Sequence, residues 1–416
     1  MTILLALFIL FYCIRKPIIG LALLLQINII RAFAVVDYNN PAFNTNESDL
    51  ILGAITPVLA FIIIILRFNL KKKVSYVIDE FDWYFVFTIV VLFFSSLYAP
   101  NFIDAISYSF KYLLIGSSFY FISKIIIINT EDYKGAVNIF FKTILILSLI
   151  VGVVASYLYI FKGGNANRLT FPGVHPIPFS QLVGLGVLIS FMIFITNGSL
   201  FNIKSKLVFR LNIIVLPTLT LILFGTNTRG VMMATAVAAF IYLLIAKVKI
   251  KKRTLYVVSA IMIVGLVVAI NYIDFEVLFS RILWRGTSKS GDDRLLAYID
   301  SLYLFITHPL GIGPDGFKHY STLPYPHNFF LENIANYGIF GLFLDIYFFL
   351  IGILMFLITL KNRHKNVMIV FLFVVYFYFF IEAMFSFTLW MHKGLYLSIG
   401  LFIAYYYRFK KSNSTV

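Results

Sequence analysis

Long runs of apolar residues alternate with short polar segments along the whole chain. The runs are mostly about 16 to 25 residues long, so each is long enough to cross a hydrocarbon core of ~30 Å as a helix. They are continuously apolar and lack the alternation of barrel strands, which favours helices. The pattern predicts an all-α polytopic membrane protein with about twelve transmembrane helices. We place these helices at residues 17–36, 50–67, 83–98, 107–128, 137–161, 179–197, 208–226, 231–246, 254–272, 338–360, 367–386 and 393–408.

The N-terminal residues 2–13 are apolar but short for a span. We expect either a tilted additional span or a half-buried interfacial helix there.

Composition agrees with a membrane protein and argues against most soluble classes. Of the 416 residues, 61% are hydrophobic and only 12% are charged. The formal net charge is +16, but the basic residues lie between the apolar runs and form no stripe on a soluble domain, so no nucleic-acid partner is expected. The single cysteine, Cys13, excludes an intrachain disulfide and a cysteine metal site.

Lysines and arginines concentrate in alternate polar loops, and such loops stay in the cytoplasm. The basic loops are 71–73, 204–210, 247–253, 361–365 and 408–411. They predict a cytoplasmic C-terminus and place the long segment 273–326 on the opposite face as one large outward loop. Residues 1–416 are expected to form a single integral membrane domain.

The polar segment from His308 to Gly341 is the most informative part of the sequence. Pro324 and Pro326 predict that a helix begins near His327, since proline suits the first turn of a helix and not its interior. Within residues 327–337 polar side chains share one face and apolar side chains the other, which predicts an amphipathic interfacial helix.

His327 would then lie at a helix N-terminus at the outer membrane boundary. The helix dipole and partial burial both favour a neutral imidazole there, and a neutral imidazole can accept a proton. Spacing alone also allows His327 to be a capping or packing residue. His319 is the nearest alternative proton acceptor.

Two carboxylates, Asp345 and Glu382, fall inside apolar runs, where we expect each to pair with a polar neighbour. His392 falls in a short outer loop, where we expect contact with lipid headgroups.

The pair His327-Asn328, followed after nine residues by Gly338-x-x-Gly341, resembles the signature of the O-antigen ligase and Wzy-type polymerase superfamily. Other segments resemble family landmarks in the family's order: IRKPIIG near the N-terminus, NRLTFPGVHP at 167–176, TNTRG at 226–230 and DDRLLAYIDSLYLFITHPLGIG at 292–313. Polymerases and ligases share these landmarks. The resemblance implies a GT-C-like glycosyltransferase architecture in the bacterial inner membrane, with an outward-facing active site that transfers a glycan from a polyprenyl-diphosphate carrier to a sugar hydroxyl.

A diphosphate donor requires cationic partners, and guanidinium groups pair bidentately with phosphate oxygens. The resemblance implies this role for Arg168, Arg229 and Arg294, which match positions where the family has arginine. Arg281 and Arg285 match less well and are secondary candidates, together with Asn328 and His319. The alternative for each arginine is an anchor to lipid phosphate.

The first hypothesis for function is a Wzy-type polymerase that joins lipid-linked repeat units. An O-antigen ligase acting on lipid A core is the alternative, and a lipid-linked glycan flippase or other transporter is a third. The expected partners are the polyprenyl-diphosphate-linked donor, a glycan or lipid-linked acceptor, membrane lipids and other polysaccharide-assembly proteins such as a chain-length regulator.

No metal or soluble cofactor is expected, because diphosphate is already a good leaving group and arginines supply the balancing charge. The adjacent Asp292 and Asp293 could form a metal-binding acidic pair, but two adjacent carboxylates point in different directions and no third oxygen ligand stands out. They are therefore interpreted as an acidic helix N-terminus that also pairs with Lys289 or Arg294.

Overall fold

A computed structural model describes residues 2–35, 55–70, 75–161, 168–203, 205–246 and 289–414. These residues form helices and connecting turns, with no strand among them. The predicted all-α class is therefore confirmed. The helix predicted at 254–272 lies outside the described residues.

The α-helices follow one another closely along the chain. They are α1 Thr2–Arg15, α2 Pro17–Leu25, α3 Ile27–Val35, α4 Thr56–Leu70, α5 Glu80–Ser96, α6 Phe102–Lys111, α7 Ser118–Asn129, α8 Tyr133–Phe161, α9 Pro176–Ile195, α10 Lys206–Gly225, α11 Arg229–Ala246, α12 Lys289–Thr307, α13 Phe329–Asn362, α14 Val367–Ala383 and α15 Lys393–Ser414.

Six helical segments in the described part of the chain are long and apolar enough to cross a membrane. One is the continuous stretch Phe102–Asn129, in which a π-helical turn, Tyr112–Gly116, joins α6 to α7. The others are α8, α9, α10, α11 and α13, and the helices α1, α4 and α14 are apolar but shorter. This set fits a polytopic membrane protein.

The N-terminal region differs from the predicted pattern. Residues 2–15 form a helix, α1, and the helix expected to run unbroken over 17–36 is instead the two helices α2 and α3. The break falls at Gln26, whose backbone leaves the helical conformation while its N–H still bonds the carbonyl of Leu23. Gly20 on α2 lies directly against Cys13 on α1, so these two helices pack closely.

The chain divides into two compact units, and unit 1 comprises Met1–Lys73 and Asn129–Arg285. Helix α9 is largely buried in this unit. The Ser148 hydroxyl on α8 donates to the carbonyl of Leu182 at 2.8 Å. On the α10 side, Ser190 and Asn212 exchange two hydrogen bonds of 2.7 and 2.9 Å. These polar contacts satisfy groups that lipid could not, and they fix α9 to its neighbours.

Unit 2 comprises Val74–Ile128 and Gly286–Val416. A buried charged cluster joins the start of α5 to α7. The ammonium of Lys124, 1% exposed, donates to Asp79 at 2.7 Å and to both carboxylate oxygens of Asp82 at 2.8 Å. The Tyr120 hydroxyl donates to Asp82 at 2.7 Å. A lysine so deeply buried would be costly alone, and the two carboxylates make it tolerable.

The expected pairing of the two carboxylates within apolar runs is confirmed. The Asn333 side-chain amide donates to Asp345 at 2.7 Å, and the Ser386 hydroxyl donates to Glu382.

Candidate functional site

The site begins where α13 starts. Asn328 is its N-cap, with Oδ1 accepting the N–H groups of Phe330 and Leu331 at 3.1 Å each. This arrangement satisfies two of the backbone donors that a helix start leaves open. The helix was predicted to begin near His327, and its first residue is Phe329.

His327 directly precedes this cap, half-buried, with its backbone in the left-handed region at φ +58°. A residue other than glycine rarely adopts this conformation, so the surrounding contacts must hold it. The Tyr325 ring lies against the imidazole, with ring centroids 4.3 Å apart and planes inclined by 50°.

Arg294 on α12 belongs to the same neighbourhood. Burial raises the pKa of the Tyr325 phenol, the charge of Glu332 raises it further, and the positive charge of Arg294 opposes the rise. Arg294 is half-buried. The phenol of Tyr325 thus contacts the imidazole of His327 and lies within reach of the charge of Arg294 on α12.

The segment before α13 is anchored on both of its sides. Lys318 pairs with Asp104 on α6 and with Asp315, each at 2.7 Å, and these hydrogen bonds raise the pKa of its ammonium. The Ser321 hydroxyl donates to Asp300 on α12 at 2.6 Å. Beneath these contacts lies a small apolar core of Ala297, Leu304, Ile312, Phe317 and Ala335.

A sharp kink at Gly338 interrupts α13. Gly338 has φ +54° and ψ −129°, a conformation that only glycine adopts readily. The kink exposes backbone groups, and residues 309–313 pair with them. The Pro309 carbonyl accepts from the Ile339 N–H at 2.9 Å, while Ile312 and Gly313 donate to the carbonyls of residues 335 and 336 at 3.2 and 2.8 Å.

The glycines of the Gly338-x-x-Gly341 motif leave no space for a side chain. A Cβ at Gly338 would overlap the Pro309 carbonyl oxygen, and a Cβ at Gly341 would overlap the carbonyl oxygen of Asn333. The Asn333–Asp345 hydrogen bond of 2.7 Å crosses the same kink. The packing of the backbone at the kink therefore explains why both positions of the motif are glycine, without any contact to a substrate.

Glu332, one turn into α13, is almost fully buried at 1% exposure. Its Oε1 accepts from the hydroxyls of Tyr108, at 2.7 Å, and Thr388, and its Oε2 accepts from the Leu389 N–H at 3.0 Å. Sequence reasoning placed Glu332 only on the polar face of a helix and did not single it out. Its position inside the signature, five residues after His327, was the signal available.

In unit 1, Arg168 and Arg229 both lie in segments next to the C-terminal end of α10. The Leu169 N–H donates to the carbonyl of Gly225 at 2.9 Å, so the segment that starts with Arg168 lies beside the end of α10, four residues before Arg229. Arg229 is exposed as the first residue of α11, and Arg168 is half-buried. Burial lowers the pKa of His175, the N-cap of α9, and the charge of Arg168 lowers it further.

The other candidates take different places. His319 is exposed in a short helical turn, Phe317–His319. His392 is buried, at 3% exposure, against the rings of Phe329 and Phe387. This burial makes the expected contact of His392 with lipid headgroups wrong, and it also lowers the pKa of the imidazole to about 3.

Arg281 and Arg285 lie outside the described residues. Within the described ranges no group of three or more His, Cys, Asp or Glu side chains is arranged to hold a metal ion.

The described residues form a helical fold of the polytopic membrane type with a candidate site at the start of α13, and one family comparison matches part of the chain. Residues 214–346 match the family model described as O-antigen ligase. The match covers about a third of the chain and includes Arg229, Arg294 and His327. It confirms the resemblance to the O-antigen ligase and polymerase superfamily and supports an enzyme of polysaccharide ligase or polymerase type. No curated protein matches the chain.

Replacing Gly338 by alanine should disrupt the site by unfolding the kink. The backbone conformation alone costs a residue with a side chain about 1–3 kcal/mol, and the overlap with the Pro309 carbonyl adds to this. The thermal unfolding temperature of the purified variant in detergent should fall markedly. Gly352→Ala in the same helix is the matched control, because its Cβ would meet only the tip of the Tyr376 side chain at 2.8 Å. Equal stability of the two variants would contradict the structural reading of the motif.

Proposed function

We propose that this chain is a Wzy-type polymerase, which joins polyprenyl-diphosphate-linked glycan repeat units on the outer face of a bacterial inner membrane. The match of residues 214–346 supports the reaction class. The observation that carries the proposal is the contact of the His327 imidazole with the Tyr325 ring directly before α13, inside that matched region. The proposed topology has about twelve spans, a cytoplasmic C-terminus and the site facing outward.

In the proposed reaction His327 is the general base. Its neutral imidazole takes the proton from the acceptor sugar hydroxyl as the oxygen attacks the anomeric carbon of the donor. The bond from that carbon to the diphosphate oxygen breaks, and its electron pair leaves with the polyprenyl diphosphate. The products are the acceptor extended by the donor glycan and the free polyprenyl diphosphate. His327 then releases its proton to water.

Arg168, Arg229 and Arg294 are the proposed partners of the diphosphate. Their role is to stabilise the negative charge that grows on the leaving group, which is the usual largest contribution to such a reaction. Guanidinium groups suit this role because they stay charged and present paired donors. Arg281 and Arg285 are secondary candidates for the same function, and Asn328 is a candidate beside His327.

The second candidate function is an O-antigen ligase, which the description of the matching family model favours. A ligase would use the same donor and the same base but would transfer the glycan to lipid A core. The modest length of the outward segment 273–326 is our reason for preferring the polymerase. A flippase is the least supported, since the arginines implicated by the resemblance fall in predicted outward segments.

Replacing His327 by alanine should abolish transfer while donor binding is kept. Loss of a general base lowers the rate by about 10²–10⁴, whereas the imidazole is proposed to act on the acceptor and not on the diphosphate. The measurement is the rate of glycan transfer beside the Kd for undecaprenyl diphosphate. His319→Ala is the comparison variant, since His319 is exposed. A fully active His327→Ala with an inactive His319→Ala would move the base to His319.

Replacing Arg168, Arg229 or Arg294 by lysine should weaken donor binding without abolishing it. A charged hydrogen bond contributes about 1.5–3 kcal/mol, and lysine keeps the charge but loses the paired donors. The Kd for undecaprenyl diphosphate should therefore rise about tenfold or more in each lysine variant. If the three arginines bind one diphosphate, combined variants should lose less affinity than the product of the single losses. Wild-type affinity in all three lysine variants would make these arginines lipid anchors.

The transfer rate should be unchanged in excess EDTA, because arginines are proposed to balance the diphosphate charge. Purified protein assayed with and without chelator provides the measurement. Complete inhibition that Mg²⁺ or Mn²⁺ reverses would instead indicate a metal-dependent reaction and would direct attention to Asp292 and Asp293.

A further inference from the structure

The buried carboxylate of Glu332 joins three parts of unit 2. It comes from α13, accepts from Tyr108 on α6 at 2.7 Å, and accepts from both Thr388 and the Leu389 N–H in the turn after α14. Both oxygens are engaged, and Glu332 is only 1% exposed. Such a carboxylate is well supplied with donors but has no surface to offer to a substrate.

The same turn is attached to α13 a second time. The side-chain amide of Asn328 donates to the carbonyl of Met384 at 3.2 Å while its oxygen caps the helix. The turn therefore holds α13 at Asn328, which directly follows His327, and again at Glu332. Phe329, between these two points, packs its ring against His392 of the turn, with centroids 5.5 Å apart.

His327 needs such support because its backbone is in a disfavoured conformation. At φ +58° it would relax if the start of α13 were free to move, and the imidazole would turn away from its present place beside Tyr325. Catalytic groups lose much of their effect when displaced by about 1 Å, a shift that can lower the rate about 10²-fold.

We propose that Glu332 is a positioning residue for His327, acting by fastening the turn 384–392 to the first turns of α13. This inference rests on the proposed function, in which His327 is the general base. Glu332 does not touch the acceptor or the donor. Its carboxylate keeps the imidazole in the position from which the acceptor hydroxyl can be deprotonated.

The substitution Glu332→Gln tests this attachment of the turn 384–392 to α13 without a large change of side-chain volume. If the glutamine oxygen faces the Leu389 N–H, its NH₂ group can donate to the hydroxyls of Tyr108 and Thr388, but these hydrogen bonds lack the charge of the carboxylate and are about half as strong. In the other orientation the NH₂ group faces the Leu389 N–H, which cannot accept. Thr388→Val removes a single hydroxyl, and Thr388→Ser restores it. The matched control is Thr359→Val, since the buried hydroxyl of Thr359 bonds only the carbonyl of Met355 on its own helix, at 2.8 Å.

The assay uses the purified protein and lipid-linked repeat units, which are extracted from a host strain in which the gene for this chain is deleted. Undecaprenyl diphosphate binding counts the folded sites, and kcat is expressed per site. In Glu332→Gln we expect kcat to fall about 10- to 100-fold, with the donor KM and the Kd for undecaprenyl diphosphate unchanged. Thr388→Val should lower kcat less, Thr388→Ser should recover most of it, and Thr359→Val should match the wild type.

Several results would overturn the proposal. An unchanged kcat per site in Glu332→Gln would exclude the positioning role. A loss of donor binding as large as the loss of kcat would show that Glu332 supports the fold as a whole. A loss equal to that of His327→Ala, with no effect of Thr388→Val, would make Glu332 itself the proton acceptor. If Glu332→Gln does not fold, the contrast between Thr388→Val and Thr388→Ser decides. Activity in His327→Ala would refute the proposed function, whereas an inactive His327→Ala beside a fully active Glu332→Gln would refute only the positioning role.

Discussion

The pairing of residues 309–313 with the kink at Gly338 is the interaction on which the site depends. A helix broken among apolar neighbours leaves N–H and carbonyl groups that must be satisfied by the protein itself, since lipid offers no partners. Here the Pro309 carbonyl and the N–H groups of Ile312 and Gly313 supply them. Two separate motifs of the sequence, HPLGIG and Gly-x-x-Gly, are thereby the two halves of one backbone contact. That contact sets the direction of residues 329–337 and hence the place of His327.

The buried charged groups of unit 2 are likewise satisfied by partners within the protein. Glu332 is satisfied by two hydroxyls and a backbone N–H, Asp345 by an asparagine amide, and Lys124 by Asp79 and Asp82. The Glu332 and Lys124 pairings join elements distant in sequence, whereas the Asn333–Asp345 bond crosses the kink within α13. Polar groups buried in a helical membrane protein are costly unless paired, so they specify which helices can be neighbours. In this unit they hold α5 against α7, and α6 and the turn after α14 against the start of α13.

Much of the helical architecture could be predicted from the hydrophobic pattern, because a run long enough to cross a bilayer has few other stable structures. Two prolines placed the start of α13 within two residues of Phe329. The break at Gln26 was not predicted, since a single polar residue in an apolar run gives little signal. The burial of Glu332 could not be predicted either, because its partners Tyr108 and Thr388 lie 224 and 56 residues away in the chain.

The roles of the site residues follow less directly from sequence. The His327 signature suggested a site, and the structure adds Tyr325, which no motif marked, as the ring against the imidazole. Arg168 and Arg229 were selected because they match positions where the family has arginine, and their proximity would follow only if they bind one diphosphate. The structure places the segments that carry them side by side in unit 1 through the backbone hydrogen bond between Leu169 and Gly225, and no side-chain pattern predicts that bond.

The most direct test of the central claim is the surface glycan of a bacterial strain that lacks this chain, resolved by size on a gel. The polymerase account predicts that single repeat units remain attached at the surface while the ladder of longer chains is lost, and that the wild-type gene restores the ladder. Loss of all attached glycan with accumulation of lipid-linked polymer would instead identify a ligase. An unchanged ladder would contradict both.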